Sequence, residues 1–466
     1  MLGGTEAATG SWIEVRSPFS GELLARVAKA GPREIERALE AAVSGFEEAR
    51  RLPGHRRADC LRAVRQALEG RRAEVVATIV AEAGKPVRFA EAEFERGLIT
   101  LRLASEEATR IEGEVLPVDI EARGEGAFCA VRRFPIGPVT AITPFNFPFN
   151  LVLHKVAPAM AAGCSVILKP SPRTPLTAHA VARAIGESGW PAKAFSLLHA
   201  DPDTARPLWT DARVRCVSFT GSDAVGWKIK EEASKKKVTL ELGGNAAAIV
   251  CADADVEDAA RKLAVAAFAY AGQVCIKAQR LFVERPVRQQ FLTAFLAASR
   301  AIEPADPRDQ ATVLGPMIDE ESARRVAAWV AEARDAGARL LLEGRREGNR
   351  LWPTLADRVP EGAKIRDREV FGPVATFEEF DAFEDAVARV NASPYGLQAS
   401  VFTRDIGKAL RSFEGLEVGA VIVNDTPSVR IDNFPYGGVK ASGFGREGVR
   451  YAIEEMTEPR VLFLRS

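Results

Sequence analysis

Histidine and paired cysteine are what this chain has least of. The four histidines, His55, His154, His179 and His199, stand in no metal-ligand spacing, and no Cys-x-x-Cys occurs, so no metal is expected. Six cysteines (Cys60, Cys129, Cys164, Cys216, Cys251 and Cys275) are scattered singly, which argues for reduced thiols and against a disulfide framework. Neither sign of charge is in excess: Lys plus Arg and Asp plus Glu number 63 each, so no nucleic acid or anionic membrane partner is implied. No apolar run is long enough to span a bilayer. The opening Met1-Leu-Gly-Gly-Thr-Glu has neither the basic nor the apolar region of a signal peptide, so a cytoplasmic location is expected. Internal repeats and low-complexity linkers are also missing.

What is present is a long chain of ordinary globular composition, 47% hydrophobic and 27% charged, which at 466 residues calls for two or three domains. Residues 11 to 28 read as a strand pair about Ser17-Pro-Phe-Ser-Gly21. From Gly31 to about Glu112 the sequence is rich in Ala, Glu and Arg at helical spacing, enough for three or four helices. The arginines Arg56, Arg57, Arg62, Arg65, Arg71 and Arg72 read as a solvated helix face with acidic neighbours more readily than as a basic patch. Residues 116 to 134 change to a β-hairpin, and β character returns in Arg460-Val-Leu-Phe-Leu464. Such flanking strands can pair with another subunit or fold onto their own domain. From Pro138 to Val250, and again from Ala246 to Val423, short apolar strands alternate with helices. Two parallel sheets covered on both faces are therefore expected, with ligands at the carboxyl ends of the strands.

The unusual residues fall at those ends. Thr143-Pro144-Phe145-Asn146-Phe-Pro148 holds an amide between prolines, either a turn asparagine or a neutral donor for an oxyanion. Lys169, in Leu168-Lys169-Pro170-Ser171-Pro172, is either a surface lysine or a donor to a ribose or phosphate. Phe219-Thr220-Gly221-Ser222 leads into a helix whose first N–H groups suit a pyrophosphate, although this stretch is not Gly-x-Gly-x-x-Gly. Glu241, in Glu-Leu242-Gly-Gly, is followed 34 residues later by Cys275 in Ala-Gly-Gln-Val-Cys, behind an apparent helix through Ala264–Tyr270. A carboxylate and a thiol on two loops are the parts needed for thioester chemistry. Lys277, close in sequence, is the positive charge expected to favour the thiolate. Cys164, Cys216 and Cys251 read as inert core thiols.

Taken together, Glu241 and Cys275 with these motifs, with Glu369-Val-Phe371-Gly-Pro and with Asn433-Phe-Pro-Tyr-Gly-Gly438, resemble the aldehyde dehydrogenase superfamily over roughly residues 12 to 464. The resemblance implies two doubly wound α/β lobes, a Rossmann-like cofactor domain and a catalytic domain, plus a small β oligomerisation element. It places the NAD(P)-binding domain at 1–115 and 135–243, the catalytic domain at 244–443, and the oligomerisation hairpin and tail strand at 116–134 and 457–466, in a homodimer or homotetramer. Cys275 is then the nucleophile, Glu241 the base for thioester hydrolysis, and Asn146 the oxyanion donor with the Cys275 N–H. Thr143, Pro144, Lys169, Ser171, Gly221, Ser222, Gly226, Leu242, Glu369 and Phe371 are the implied cofactor residues. NAD-preferring relatives often carry glutamate three residues after the lysine; Pro172 stands there, so the cofactor is NAD or NADP. The turn His199-Ala-Asp-Pro departs from the glycine-containing turn of many relatives.

The neighbourhood is similar to lactaldehyde, phosphonoacetaldehyde and non-phosphorylating glyceraldehyde-3-phosphate dehydrogenases, which suggests a small polar or anionic aldehyde. Arg102, His154 and Arg430 fall in segments that line the substrate tunnel in such relatives. A coenzyme A-acylating enzyme and a catalytically silent structural member are the alternatives. The first commonly lacks the base glutamate; the second would be expected to lose Cys275 or Asn146.

Overall fold

A computed structural model describes residues 1–465. Its first sheet is built of short β-branched runs such as Val139–Ile142, all four residues of which are buried, as expected of a strand covered on both faces. In spatial order the strands are Gly443–Phe444, Lys237–Glu241, Cys216–Thr220, Val139–Ile142, Val166–Lys169 and Phe195–Leu197. All neighbours are parallel except Gly443–Phe444, which runs antiparallel to Lys237–Glu241. The chain winds outward from Val139 through Val166 and Phe195, then returns to the other side with Cys216 and Lys237. That reversal puts a switch point between Val139–Ile142 and Cys216–Thr220, where open sheets of this kind leave a crevice. Ile142 pairs with Phe219, so Thr143 and Thr220 emerge side by side at its floor.

The second sheet has seven strands: Arg339–Leu342, Thr354–Asp357, Val374–Phe380, Arg280–Glu284, Ala247–Val250, Gln398–Phe402 and Ala420–Val423. Arg339–Leu342 alone is antiparallel to its neighbour. The α/β architecture expected from the alternation is therefore the one adopted. Four helices, Pro32–Ala49, Gly54–Glu69, Arg72–Ala83 and Val87–Glu107, fill the N-terminal helical stretch. One core packs the last three of these with helix Asn150–Ala162 against the first sheet; a second lies beneath helices Val256–Phe268 and Arg288–Arg300. Of the arginines of the helical face, Arg56, Arg62 and Arg72 are exposed, the last two paired with Asp59 and Glu95, while Arg57, Arg65 and Arg71 are partly buried.

A three-stranded antiparallel ribbon stands apart from both sheets. Thr457–Arg465 pairs along its whole length with Ala127–Pro135, which takes Glu114–Leu116 on its other side. Ser466, the last residue of the expected tail, lies outside the described residues. Among the described residues no helix is long and apolar enough to cross a membrane. All six cysteines are free, and five of them are buried.

Candidate active site

The loop that carries Cys275 owes its course to a left-handed turn. The sequence suggests helix through Tyr270, but helix Val256–Phe268 stops two residues short of it. Tyr270, Ala271 and Gly272 then take φ of 52°, 54° and 64°. Two non-glycine residues in that region cost of order 1–2 kcal/mol each, so the turn must be held from outside. Tyr270 N–H donates to Val313 O, and the buried Gln273 amide accepts from Ile318 N–H. A Cβ at Gly272 would stand 2.2 Å from Gly372 O. At Gly244 an added Cβ would lie 2.9 Å from Cys275 O, so the paired glycines after Glu241 let that segment lie against the cysteine loop.

Asn146 is positioned by a second buried device. Lys85 and Glu93, both fully enclosed, form an ion pair; the Lys85 ammonium sits 3.7 Å from the centre of the Phe147 ring and 4.6 Å from that of Tyr270. Glu93 also accepts from the Phe149 and Asn150 N–H groups, where helix Asn150–Ala162 begins. The Asn146 amide donates to Gln273 O at 2.9 Å, tying the two loops together. Its second amide hydrogen and the Cys275 N–H make no hydrogen bond among the described residues.

Cys275, Asn146 and Glu241 share one cavity of about 800 Å³. Neither Glu241 carboxylate oxygen has a partner, and both are buried. Burial first, then the neighbouring Glu447, push its pKa well above the ordinary carboxylate value. Burial likewise lifts the Cys275 thiol to about 11, opposed by a hydrogen bond from the Tyr436 hydroxyl. Lys277 does not take part. Its ammonium turns away to donate to Val374 O at 2.6 Å, and burial lowers its pKa to about 7. Cys164, Cys216 and Cys251 are buried in strand surroundings that raise their thiols to about 11, 12 and 12.

Across the cavity from the switch point lies a buried chain of charges. Lys155 pairs with Glu447 (2.7 Å), Glu447 with Arg430 (3.1 Å), and Asp432 with both His154 (2.8 Å) and Arg96 (2.7 Å). Arg430 stands 3.8 Å from Asp432 and lies over the Tyr436 ring at 3.7 Å, with its Nε buried and unpartnered. Burial, followed by Arg430, lowers the His154 pKa, so His154 is neutral near pH 7. The cations Lys155, Arg430 and Arg96 then face the anions Glu447 and Asp432, leaving one positive charge over.

Toward the switch point the cavity is lined by Pro144, Gly221, Ser222, Leu242, Glu369 and Phe371. Gly226 is buried in the first turn of helix Asp223–Glu232, where a Cβ would meet Leu242 at 2.3 Å. Glu369 accepts from Gly244 N–H, and burial raises its carboxyl to about 7. The hydroxyls of Thr143 and Thr220 are buried without partners.

The profile of the aldehyde dehydrogenase family matches residues 5–462. The chain belongs to that family. It is 38% identical to the 3-sulfolactaldehyde dehydrogenase of Priestia megaterium over 99% of this chain and 97% of that one. Among solved structures it resembles aldehyde dehydrogenase 21 from Physcomitrella patens in complex with the reaction product succinate. That match has 39% identity and a TM-score of 0.97, over 100% of this chain and 97% of that one. It also resembles a glyceraldehyde-3-phosphate dehydrogenase from Methanocaldococcus jannaschii complexed with NADP, with 34% identity and a TM-score of 0.93 over 97% and 99%.

In this aldehyde dehydrogenase the three substrate candidates fare differently. Arg430 lines the cavity. His154 is behind it, fully buried on Asp432. Arg102 is a correction: it is exposed and paired with Glu106 on its own helix. Arg96, six residues earlier on helix Val87–Glu107, is the arginine that reaches the cavity. Six residues turn a helix about 600°, which carries a side chain to a different face. The sequence assigns no role to Tyr436, Asp432 or Glu447: Tyr436 falls inside the Asn433–Gly438 motif and the other two flank it, but nothing local distinguishes these polar residues from surface ones. Of the cofactor candidates, Thr143, Lys169, Ser171 and Gly226 lie outside the cavity wall. The Ser171 hydroxyl accepts from Arg173 N–H in its own turn, while burial lowers the Lys169 pKa against the opposing charge of Asp201.

Proposed function

We propose that the protein oxidises a small aldehyde bearing an anionic group to the carboxylic acid, with NAD or NADP as hydride acceptor. The observation that carries this is the convergence of Cys275, Asn146 and Glu241 in one cavity whose far wall holds Arg96 and Arg430 with a surplus of positive charge. Three relatives are named for anionic aldehydes or their product, 3-sulfolactaldehyde, glyceraldehyde 3-phosphate and succinate, while others are lactaldehyde dehydrogenases, whose aldehyde is small, polar and neutral.

The crevice at the switch point fits a dinucleotide. The orphaned Thr220 hydroxyl and the first N–H groups of helix Asp223–Glu232, except that of Ala224, which donates to Asp223 Oδ1, suit its phosphates and ribose, with Glu369 and Phe371 further along the same wall. When bound there, the nicotinamide supplies the acceptor for hydride. In this reading residues 1–115 and 135–243 hold the cofactor, and 244–443 carry the nucleophile.

The Cys275 thiolate adds to the aldehyde carbon. The oxygen that becomes negative is met by the free Asn146 amide hydrogen and the Cys275 N–H, donors of a kind worth roughly 3 kcal/mol each. Once hydride has left, the substrate is a thioester on Cys275. Glu241 then takes a proton from the attacking water, the thiolate leaves, and the acid is released. A coenzyme A-acylating enzyme would use the same sulfur but has no need of an enclosed, unpartnered carboxyl beside it.

The test is a panel of short aldehydes with each cofactor, analysed with and without coenzyme A. Anionic aldehydes are expected to exceed neutral ones of equal length by about 10- to 100-fold in kcat/KM, as for loss of one charged hydrogen bond. The product is expected to be the free acid. Equal use of neutral aldehydes, or acyl-coenzyme A as product, would refute the proposal. Reduction of NAD or NADP that is insensitive to iodoacetamide would remove Cys275 from it.

A further inference from the structure

The proposed nucleophile sits where a thiol ionises poorly. Burial raises Cys275, and no lysine reaches it. The ionisable groups that face the sulfur are Tyr436, Glu369, Arg430 and Glu241; Arg430 favours the thiolate, and either carboxyl opposes it only when ionised. The Tyr436 hydroxyl stands 3.3 Å from Cys275 Sγ and has no other hydrogen-bond partner. A phenol enclosed to 3% exposure needs a partner, and here that partner is the reacting atom.

Its placement is enforced from three sides. The Tyr436 and Glu447 backbones exchange hydrogen bonds of 2.9 and 2.7 Å. The Glu447 carboxylate holds Arg430, and the Arg430 guanidinium covers the Tyr436 ring at 3.7 Å. A Cβ at Gly437 would lie 2.8 Å from Glu241 Oε1, so the glycine after the tyrosine leaves room for the carboxyl beside it. A cation over an aromatic face draws electron density from the ring and makes its hydroxyl a stronger donor.

We propose that Tyr436 is a further catalytic residue, which donates its hydroxyl hydrogen bond to the Cys275 thiolate and is strengthened as a donor by Arg430 lying on its ring. The phenol keeps its proton throughout, since burial and the neighbouring Cys275 push its own ionisation far above neutrality. Tyr436 thus replaces the cationic partner that Lys277 does not provide. The proposal rests on Cys275 being the nucleophile.

The experiment is the pH profile of iodoacetamide alkylation in full-length enzyme without cofactor. It is run on the parent, on Tyr436→Phe, and on both in a Glu241→Gln background that removes the carboxyl's own titration. Tyr436→Phe is expected to slow alkylation near neutral pH about tenfold and to move the midpoint upward, as loss of a hydrogen bond to a charged acceptor requires. Replacing Tyr436 with 3-fluorotyrosine, a more acidic phenol of nearly the same shape, is expected to move the midpoint downward. A packing role would not respond to that change. Profiles that superimpose for all three side chains would overturn the proposal, as would shifts in the same direction for phenylalanine and fluorotyrosine. Cys275→Ser separates the two claims: if it abolishes dehydrogenation while the Tyr436 variants leave alkylation untouched, the proposed reaction stands and the role of Tyr436 falls.

Discussion

A carboxyl with both oxygens buried and unpartnered is costly unless it is neutral, and Glu241 is in that condition. Held protonated while the aldehyde adds, it does not oppose the neighbouring thiolate; it must lose its proton before it can activate water. In Glu241→Gln the first turnover should still release NADH or NADPH in a burst, with steady-state turnover lower by about 10²- to 10⁴-fold. The parent's hydrolysis-limited kcat should fall as pH drops through the raised carboxyl pKa, and the Gln variant should lack that limb. Stopped-flow absorbance at 340 nm measures both, and an unchanged steady state would refute the role. Arg96 provides a separate check on substrate charge. Arg96→Met should raise KM for anionic aldehydes about tenfold and leave neutral ones unchanged, while Asp432 keeps His154 as a partner.

At the scale of elements, what matters is how loops are held. The turn Tyr270–Gly272 precedes the nucleophile, and Gly272→Ala would force a Cβ against Gly372 O; thermal or denaturant unfolding should show a loss of about 2–4 kcal/mol. The segment from Arg430 to Glu447 is held by the buried charge chain. There the Lys155 and Arg430 cations pull the Glu447 carboxyl down to about 2 against its burial. A carboxyl with a depressed folded pKa adds stability that is present above its unfolded value near 4.5 and is lost as pH falls toward 2. Acid unfolding of Glu447→Gln should therefore be flatter between those limits, and the variant should be less stable at pH 7 by about 3–5 kcal/mol, since two buried cations lose their shared partner. These held loops also mark where sequence stopped being informative. The strands and helices were legible because their apolar spacing is local, and the Glu241, Asn146 and Cys275 motifs because each sits at the end of such an element. Tyr270 looked helical because its left-handed turn is imposed by Val313 and Gly372, distant in sequence. Arg96 and Arg102 cannot be told apart until the buried face of their helix is known. The chain's literal Gly-x-Gly-x-x-Gly, Gly443 to Gly448, would have misled: it lies beside Glu241 on the edge of the first sheet, away from the switch point.

For the whole molecule, the ribbon poses a solubility problem that a second copy would solve. Thr457–Arg465 is the outer strand of its sheet, so its far edge of N–H and C=O groups is unpaired within the chain. Alternate residues of a strand face opposite sides, yet Val461 (66% exposed) and Leu462 (53% exposed) are both open to solvent, with Phe463, Leu464 and Phe128 similarly uncovered. An apolar ribbon bare on both faces and one edge is the mark of an interface. A second such surface exists on helix Ile406–Gly415, where Ile406, Leu410 and Phe413 are exposed at helical spacing beside the edge strand Ala420–Val423. Two separate patches allow a dimer through one and a tetramer through both. Burying a side chain such as Val461 or Phe463 contributes about 1.5–3 kcal/mol, and a symmetric pair contributes it twice. The double change Val461→Glu and Phe463→Glu places two carboxylates on one face of the ribbon and should split the assembly. Light scattering on a size-exclusion column should then find the 50.3 kDa chain alone, where the parent is expected at two or four times that mass. The helix change Phe413→Glu should reduce a tetramer to a dimer and no further. A parent that already runs as a single chain at micromolar concentration would show that neither surface is used.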